Sequence, residues 1–161
     1  AVVVDHKTWP SREAFDGELV RVLRAHGVSC VVLAGFMRLV TPVLLGAFQD
    51  RVVNIHPSLL PAFPGKDAQA QALHYGVRFA GCTVHFVDAG TDTGPIIAQA
   101  VVPVLASDDE HALAARILAE EHALLPSVLQ AIAKGRVSVE RTDEPGARPR
   151  VRVADTSAST P

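Results

Sequence analysis

The chain has 161 residues, a formal net charge of −2 and 48% hydrophobic residues, which suits one globular domain with its own core. The slightly acidic balance gives no positive surface of the kind that nucleic acid or an anionic membrane attracts, so small-molecule ligands are expected. No apolar stretch approaches the roughly 18 to 20 residues that a spanning helix needs. Cys30 and Cys82 lie in apolar runs, which favours buried thiols over a disulfide and fits a cytoplasmic protein.

Short apolar runs alternate with helical patterns in the first part of the chain. The apolar residues 1–4 predict a piece of strand, and residues 11–26 carry apolar side chains at the spacing of an amphipathic helix. Residues 28–35 and 51–55 are almost uniformly apolar, which is typical of parallel strands that are covered on both faces. A hydroxyl followed by proline predicts a short helix over 41–48 between them. The result is a strand, helix, strand unit.

The second part of the chain continues the alternation. Residues 67–75 predict a short helix, and residues 81–88 and 94–104 predict two strands joined by a polar turn. A capped acidic first turn and regular apolar spacing predict a long helix over 107–133. Pro126 is expected to kink or divide that helix.

The order of these elements predicts the fold class and the domain organisation. The class is α/β, with a single domain over residues 1–140 and a mostly parallel, Rossmann-like sheet flanked by helices. Residues 141–161 have no sustained period and are rich in proline, hydroxyl and charged side chains, which predicts a flexible C-terminal tail. Ligands of such sheets bind outside the carboxyl ends of the strands, where Asn54 and Asp92 are expected.

Asn54 and His56 end an apolar run and are followed by a proline-rich loop. Side chains two residues apart on an extended chain point to the same side, and Pro57 restricts the histidine to extended backbone conformations. An amide can donate to an oxygen that gains negative charge, and an imidazole can serve as an acid. Asp88 and Asp92 are the candidate carboxylates to hold a charged imidazole. Taken alone, the motif is a weak signal, and a structural loop is the alternative.

Other histidines carry weaker signals. His85 alternates with apolar residues on a predicted strand, where it either lines a pocket or is a satisfied structural histidine. His122 lies on an apolar-rich helix, where packing is favoured. The remaining histidines are scattered without convergence, so no metal site is expected.

Four stretches of the sequence carry a resemblance to a known family. They are VLAGFMRLVTP, NIHPSLLPAFPG, GCTVHFVDAGTDTGPIIAQ and EEHALLP. In this order and spacing they resemble the glycinamide ribonucleotide formyltransferase family over about residues 1–140. The resemblance implies the formyltransferase fold. It also implies transfer of a formyl group from 10-formyltetrahydrofolate to the amine of glycinamide ribonucleotide in purine synthesis.

The resemblance also implies roles for individual residues. Asn54, His56 and Asp92 match the catalytic amide, histidine and aspartate. Asn54 and a protonated His56 would stabilise the oxyanion formed by amine attack, and Asp92 would hold His56 charged and help to move protons, without a covalent enzyme intermediate. The folate side is matched by Arg12, Met37, Arg38, Leu39, Val40, Asn54, Asp88, Ala89, Gly90, Thr91 and Asp92. Pro57 and Glu121 match positions on the ribonucleotide side.

The resemblance implies small-molecule partners and no metal, and it is compatible with a homodimer. Family members begin with a further strand and a glycine-containing phosphate-binding loop that this sequence does not show, so the intact protein is expected to be longer. Two alternatives stay open. One is a formyltetrahydrofolate hydrolase that uses the same three polar residues on water, and the other is a folate-binding fragment without catalysis.

Overall fold

The computed structural model describes residues 1–36, 38–141, 143–144 and 146–154. After a short 3-10 helix (His6–Thr8), the helices of this part are α1 (Arg12–Ala25), α2 (Pro42–Ala47), α3 (Ala68–Tyr75) and α4 (Glu110–Ala133). The strands are β1 (Val31–Leu33), β2 (Val52–His56), β3 (Phe79–Phe86), β4 (Ile96–Pro103), β5 (Val137–Glu140) and β6 (Arg150–Val153). No strand is present at residues 1–4, where the sequence predicted one. Of the helices described, none has the length and apolar character that a membrane span requires.

The helices begin where the sequence provides capping side chains. Ser11 accepts a hydrogen bond from the Ala14 amide at 3.1 Å, and Asp109 accepts one from Ala112 at 2.7 Å. Thr41 caps α2, which has proline in its first turn. These contacts satisfy backbone N–H groups that have no partner within the helix.

Of the two effects predicted for Pro126, a kink or a division of the helix, the division is wrong, because α4 continues through that residue. A proline inside a helix removes one backbone hydrogen bond. Ile117 and Val128, on either side of the proline, are both buried in the core. Packing on both sides therefore keeps the two halves in one helix.

The main sheet has the strand order β1-β2-β3-β4. β1 and β2 are parallel, whereas β2 with β3 and β3 with β4 are antiparallel. The α/β class and the single domain are confirmed, but the described sheet is mixed where a mostly parallel one was expected. A direct turn joins β3 to β4, and such a connection can only link antiparallel neighbours, since parallel strands need a longer crossover.

Helices cover the sheet and bury its apolar side chains. α4 packs Leu113 and Ile117 into a cluster with Cys82 of β3 and Val102 of β4. A second cluster joins α1 and α2 to the parallel pair β1 and β2 through Val20, Leu44, Phe48 and Val52. Both cysteines are free thiols, and burial raises the pKa of Cys82 to about 11. The core thus fixes the loops that follow β1, β2 and β3.

Part of the segment predicted as a flexible tail is a strand. β6 pairs with β5 in antiparallel register, and Val139 and Val151 pack against the core cluster around Val84. The prediction of irregular structure is therefore wrong for Arg150–Val153, where alternating arginine and valine give a strand one apolar face. Arg141 and Asp50 form an ion pair at 2.7 Å that links this hairpin to the loop before β2. Residues 155–161 lie outside the described residues.

Candidate active site

A cavity of about 760 Å³ lies beside the segments that follow β1, β2 and β3. Its lining includes residues 34–36 and 38–40 after β1, residues 54–57 at the end of β2, and the loop 87–92 after β3. One face of α4 and residues 65–67 and 69 contribute the rest of the wall. This volume lies in the range of pockets that bind cofactor-sized molecules.

His56 lies between two oxygen acceptors in the wall of the cavity. Its Nε2 is 2.9 Å from the carbonyl oxygen of Phe63, and its Nδ1 is 3.4 Å from Oδ2 of Asp92. A carbonyl can only accept, so Nε2 must donate. In a neutral ring the lone pair of Nδ1 would then face the carboxylate, whereas an imidazolium donates from both nitrogens. The positions of the two oxygens therefore fit an imidazolium that donates from both nitrogens, in a ring that is 5% exposed.

The backbone around Asp92 presents its carboxylate to the histidine. Asp92 has φ +53°, a left-handed conformation that few residues other than glycine adopt, and its Oδ2 accepts a hydrogen bond from the Gly65 amide at 2.8 Å. Asp88 instead accepts from the Gly90 amide at 3.0 Å and from the Thr93 hydroxyl at 2.7 Å. Of the two candidate carboxylates, Asp92 reaches the histidine and Asp88 organises the loop.

Asn54 contacts a second buried histidine. Nδ2 of Asn54 is 3.3 Å from Nε2 of His85, whose Nδ1 is 2.8 Å from the carbonyl oxygen of Phe86. Nε2 of His85 also lies 3.7 Å from Oδ1 of Asp92. Burial lowers the pKa of His85, which is 1% exposed. His85 lines the cavity and both of its ring nitrogens have partners, so both interpretations left open by the sequence describe it.

Hydrogen bonds from β3 anchor the proline-rich loop after β2. The Thr83 hydroxyl accepts from the Leu60 amide at 3.0 Å and donates to the Ser58 carbonyl at 2.7 Å. The Ser58 hydroxyl donates to the Ala62 carbonyl at 2.6 Å. The peptide bond between Leu60 and Pro61 is cis. The loop is thereby connected to the sheet that carries Asn54 and His85.

Most of the residues singled out by the sequence lie around this one cavity. Those in its lining are Arg38, Leu39, Val40, Asn54, His56, Pro57, Asp88, Ala89, Gly90, Thr91, Asp92 and Glu121. Arg12 is not in the lining; it is exposed at the start of α1. The guanidinium of Arg38 lies over the Phe15 ring of that helix, 5.0 Å from the ring centre. Met37 lies outside the described residues.

The sequence did not identify every residue of the lining. Leu118, His122 and Leu125 line the cavity together with Glu121, on one face of α4. Packing had been favoured for His122, yet its position places it in the wall of the cavity. Glu121, His122 and Leu125 lie within one of the resembling stretches, and their helical spacing was the available signal. Lys66, Asp67 and Gln69 also line the cavity and carried no signal in the sequence.

Glu121, in the wall formed by α4, lowers the stability of the folded state in a pH-dependent way. Burial raises the pKa of this carboxyl above its ordinary value of 4.5. A raised pKa in the folded state means that folding is opposed once the carboxyl is ionised. Glu121→Gln should therefore raise the thermal unfolding temperature at pH 7, and the gain should disappear as the pH falls below 4.5.

Glu120→Gln is the matched control for this prediction, because Glu120 is exposed on the same helix. It should leave the unfolding temperature nearly unchanged across the pH range. Thermal unfolding followed by circular dichroism at several pH values measures both variants. A Glu121→Gln variant that is less stable than the parent at pH 7 would show that the ionised carboxylate is stabilised by its neighbours.

Within the described part of the chain, no group of three or more histidine, cysteine, aspartate or glutamate side chains is arranged to hold a metal ion.

Comparison with known proteins agrees with the resemblance seen in the sequence. The formyl transferase domain family matches residues 1–129. The phosphoribosylglycinamide formyltransferase of Mycobacterium tuberculosis is 50% identical over 137 residues, which is 85% of this chain and 62% of that protein. The chain thus spans about three fifths of the length of this curated relative.

Solved structures show the same relationship. Glycinamide ribonucleotide transformylase 1 from Symbiobacterium toebii matches with a TM-score of 0.87 and 55% identity, covering 94% of this chain and 68% of that one. A formyltetrahydrofolate deformylase from Pseudomonas syringae matches with a TM-score of 0.81 and 33% identity, covering 96% and 48%. The expected formyltransferase fold is confirmed, and the chain belongs to the formyl transferase family.

Proposed function

We propose that the protein carrying this chain transfers the formyl group of 10-formyltetrahydrofolate to the amine of glycinamide ribonucleotide, as a step of purine synthesis. The observation that carries the proposal is the convergence of Asn54, His56 and Asp92 on one cavity of about 760 Å³. The names of the relatives at about half identity support the same choice of donor and acceptor.

The polar side chains suit the chemistry of this transfer. When the amine attacks the formyl carbon, negative charge develops on the formyl oxygen. The amide of Asn54 can donate to that oxygen, and a protonated His56 supplies positive charge beside it. Asp92 holds the imidazolium and helps to move the proton that the amine loses, through water, toward the folate nitrogen that leaves. No covalent bond to the protein is required.

The two ligands occupy different walls of the cavity in this proposal. The folate pterin lies against the backbone of Arg38, Leu39 and Val40 and under the loop 88–92, with Met37 as a further predicted contact. The folate glutamate tail extends toward Arg12 at the start of α1. Pro57 and Glu121 contact the ribonucleotide. The protein acts in the cytoplasm without a metal.

A substrate assay of the complete protein tests the proposed function. The release of tetrahydrofolate from 10-formyltetrahydrofolate is measured with and without glycinamide ribonucleotide. Turnover should require the acceptor, and formylated ribonucleotide should form in equal amount. Equal folate turnover without acceptor would assign a hydrolase instead. Folate binding with no turnover under either condition would assign a binding protein.

A further inference from the structure

We propose that His85 is a positioning residue, which orients the carboxamide of Asn54 by accepting a hydrogen bond from its Nδ2. The two residues lie directly opposite each other in the antiparallel pair of β2 and β3, so their side chains share one face of the sheet. The kinetic part of this inference rests on the proposed function, whereas the structural part does not.

The tautomer of His85 follows from its buried partners. The Phe86 carbonyl can only accept, so Nδ1, which lies 2.8 Å away, carries the proton. In the neutral ring Nε2 is then an acceptor, and it can only be matched by the amide N–H of Asn54 at 3.3 Å, not by the amide oxygen. Burial lowers the pKa of His85 and so supports the neutral ring.

This hydrogen bond determines which atoms of Asn54 remain for a ligand. One N–H of Nδ2 donates to His85. The carboxamide cannot rotate by 180° without placing its oxygen against the lone pair of Nε2 of His85. The second N–H is left for an oxygen in the cavity, which is the role that the proposed reaction requires. His85 acts through Asn54 and not on the substrate itself.

Protonation of His85 would break its hydrogen bond with Asn54. An imidazolium donates from Nε2, so it can no longer accept from Asn54, and Oδ1 of Asp92 lies 3.7 Å away as an alternative acceptor. The charged groups that act on this ring are Asp92 and Asp88 from the loop after β3, which favour its cation, and His56 from β2, which opposes it. Loss of activity in acid is the expected consequence.

A double-mutant cycle tests the coupling in the complete protein. His85→Phe keeps a planar ring but removes the acceptor, and it should lower kcat about 10-fold, the kinetic equivalent of one hydrogen bond, with little change in KM for the ribonucleotide. His85→Gln keeps an acceptor and should recover part of the loss. In an Asn54→Ala background, His85→Phe should change kcat by less than about 2-fold. Fully additive losses would overturn the proposal.

Nitrogen NMR of the histidine rings provides a readout that does not depend on activity. At neutral pH His85 of the parent should show the neutral tautomer with the proton on Nδ1. A ring protonated on Nε2, alone or together with Nδ1, would overturn the proposal even if formyl transfer is observed. If the parent transfers no formyl group, the proposed function fails, and the tautomer still decides the orientation of Asn54.

Discussion

His56→Ala should lower kcat for formyl transfer by about 10²-fold or more, the usual scale for a group that stabilises charge or moves a proton at the reacting centre. The reason is the place of the ring between the Phe63 carbonyl and Asp92, which favours a cation in the wall of the cavity. Steady-state kinetics of the complete protein measure the effect. Near-normal turnover in the folded variant would remove His56 from the mechanism.

The same substitution is also expected to cost stability, and the two effects must be separated. The buried ring satisfies two acceptors, and leaving a buried polar group without its partner typically costs about 1–3 kcal/mol. Denaturant unfolding of the variant gives this value and defines conditions in which it is folded. His111→Ala is the control, because His111 is exposed in the first turn of α4; it should change neither kcat nor stability appreciably.

Local patterns were sufficient to predict most of the elements but not the direction of every strand. The apolar spacing of residues 11–26, the hydroxyl and proline at the start of α2 and the apolar runs located the helices and strands of the first part of the chain. Whether β2 and β3 are parallel depends on the path of the chain between them, which no local pattern records. β6 was missed because a segment rich in proline and charged residues separates it from its partner β5. Pairing with β5, and not local propensity alone, stabilises this strand.

Site residues were predicted correctly where their chemical type and the family resemblance indicated the same positions. The amide and imidazole at the end of β2 were recognised from a short motif, and both line the cavity. The choice between Asp88 and Asp92 was beyond the bare sequence, because it depends on a left-handed residue and on a hydrogen bond from Gly65, which is distant along the chain. The contact between Asn54 and His85 depends on the register of two strands, which spacing alone does not reveal.

Asp92→Asn is expected to have the second large effect, a fall in kcat of about 10²- to 10⁴-fold, because it removes the charge that holds the imidazolium. The substitution suits the backbone, since asparagine tolerates the left-handed conformation that Asp92 adopts at φ +53°. Its amide oxygen can still accept from Gly65, so the contact between the two loops is retained. The fold should therefore survive, and the loss should appear in catalysis.

The chemical cause of that loss can be observed directly. With asparagine at position 92, the amide oxygen that keeps the hydrogen bond from Gly65 takes the place of Oδ2, so a neutral acceptor replaces the carboxylate beside Nδ1 of His56. Nε2 still donates to the Phe63 carbonyl, and without the negative charge the imidazolium loses its ion-pair partner. Nitrogen NMR at one fixed pH should show a larger fraction of neutral His56 ring in the variant than in the parent. Asp109→Asn is the matched control, because it makes the same change at the N-cap of α4, outside the cavity lining, and asparagine also caps helices well.

If Asp92→Asn left both turnover and the ring signals of His56 unchanged, the two residues would not be coupled. Asp92 would then be only the turn residue whose carboxylate joins the loop after β3 to Gly65.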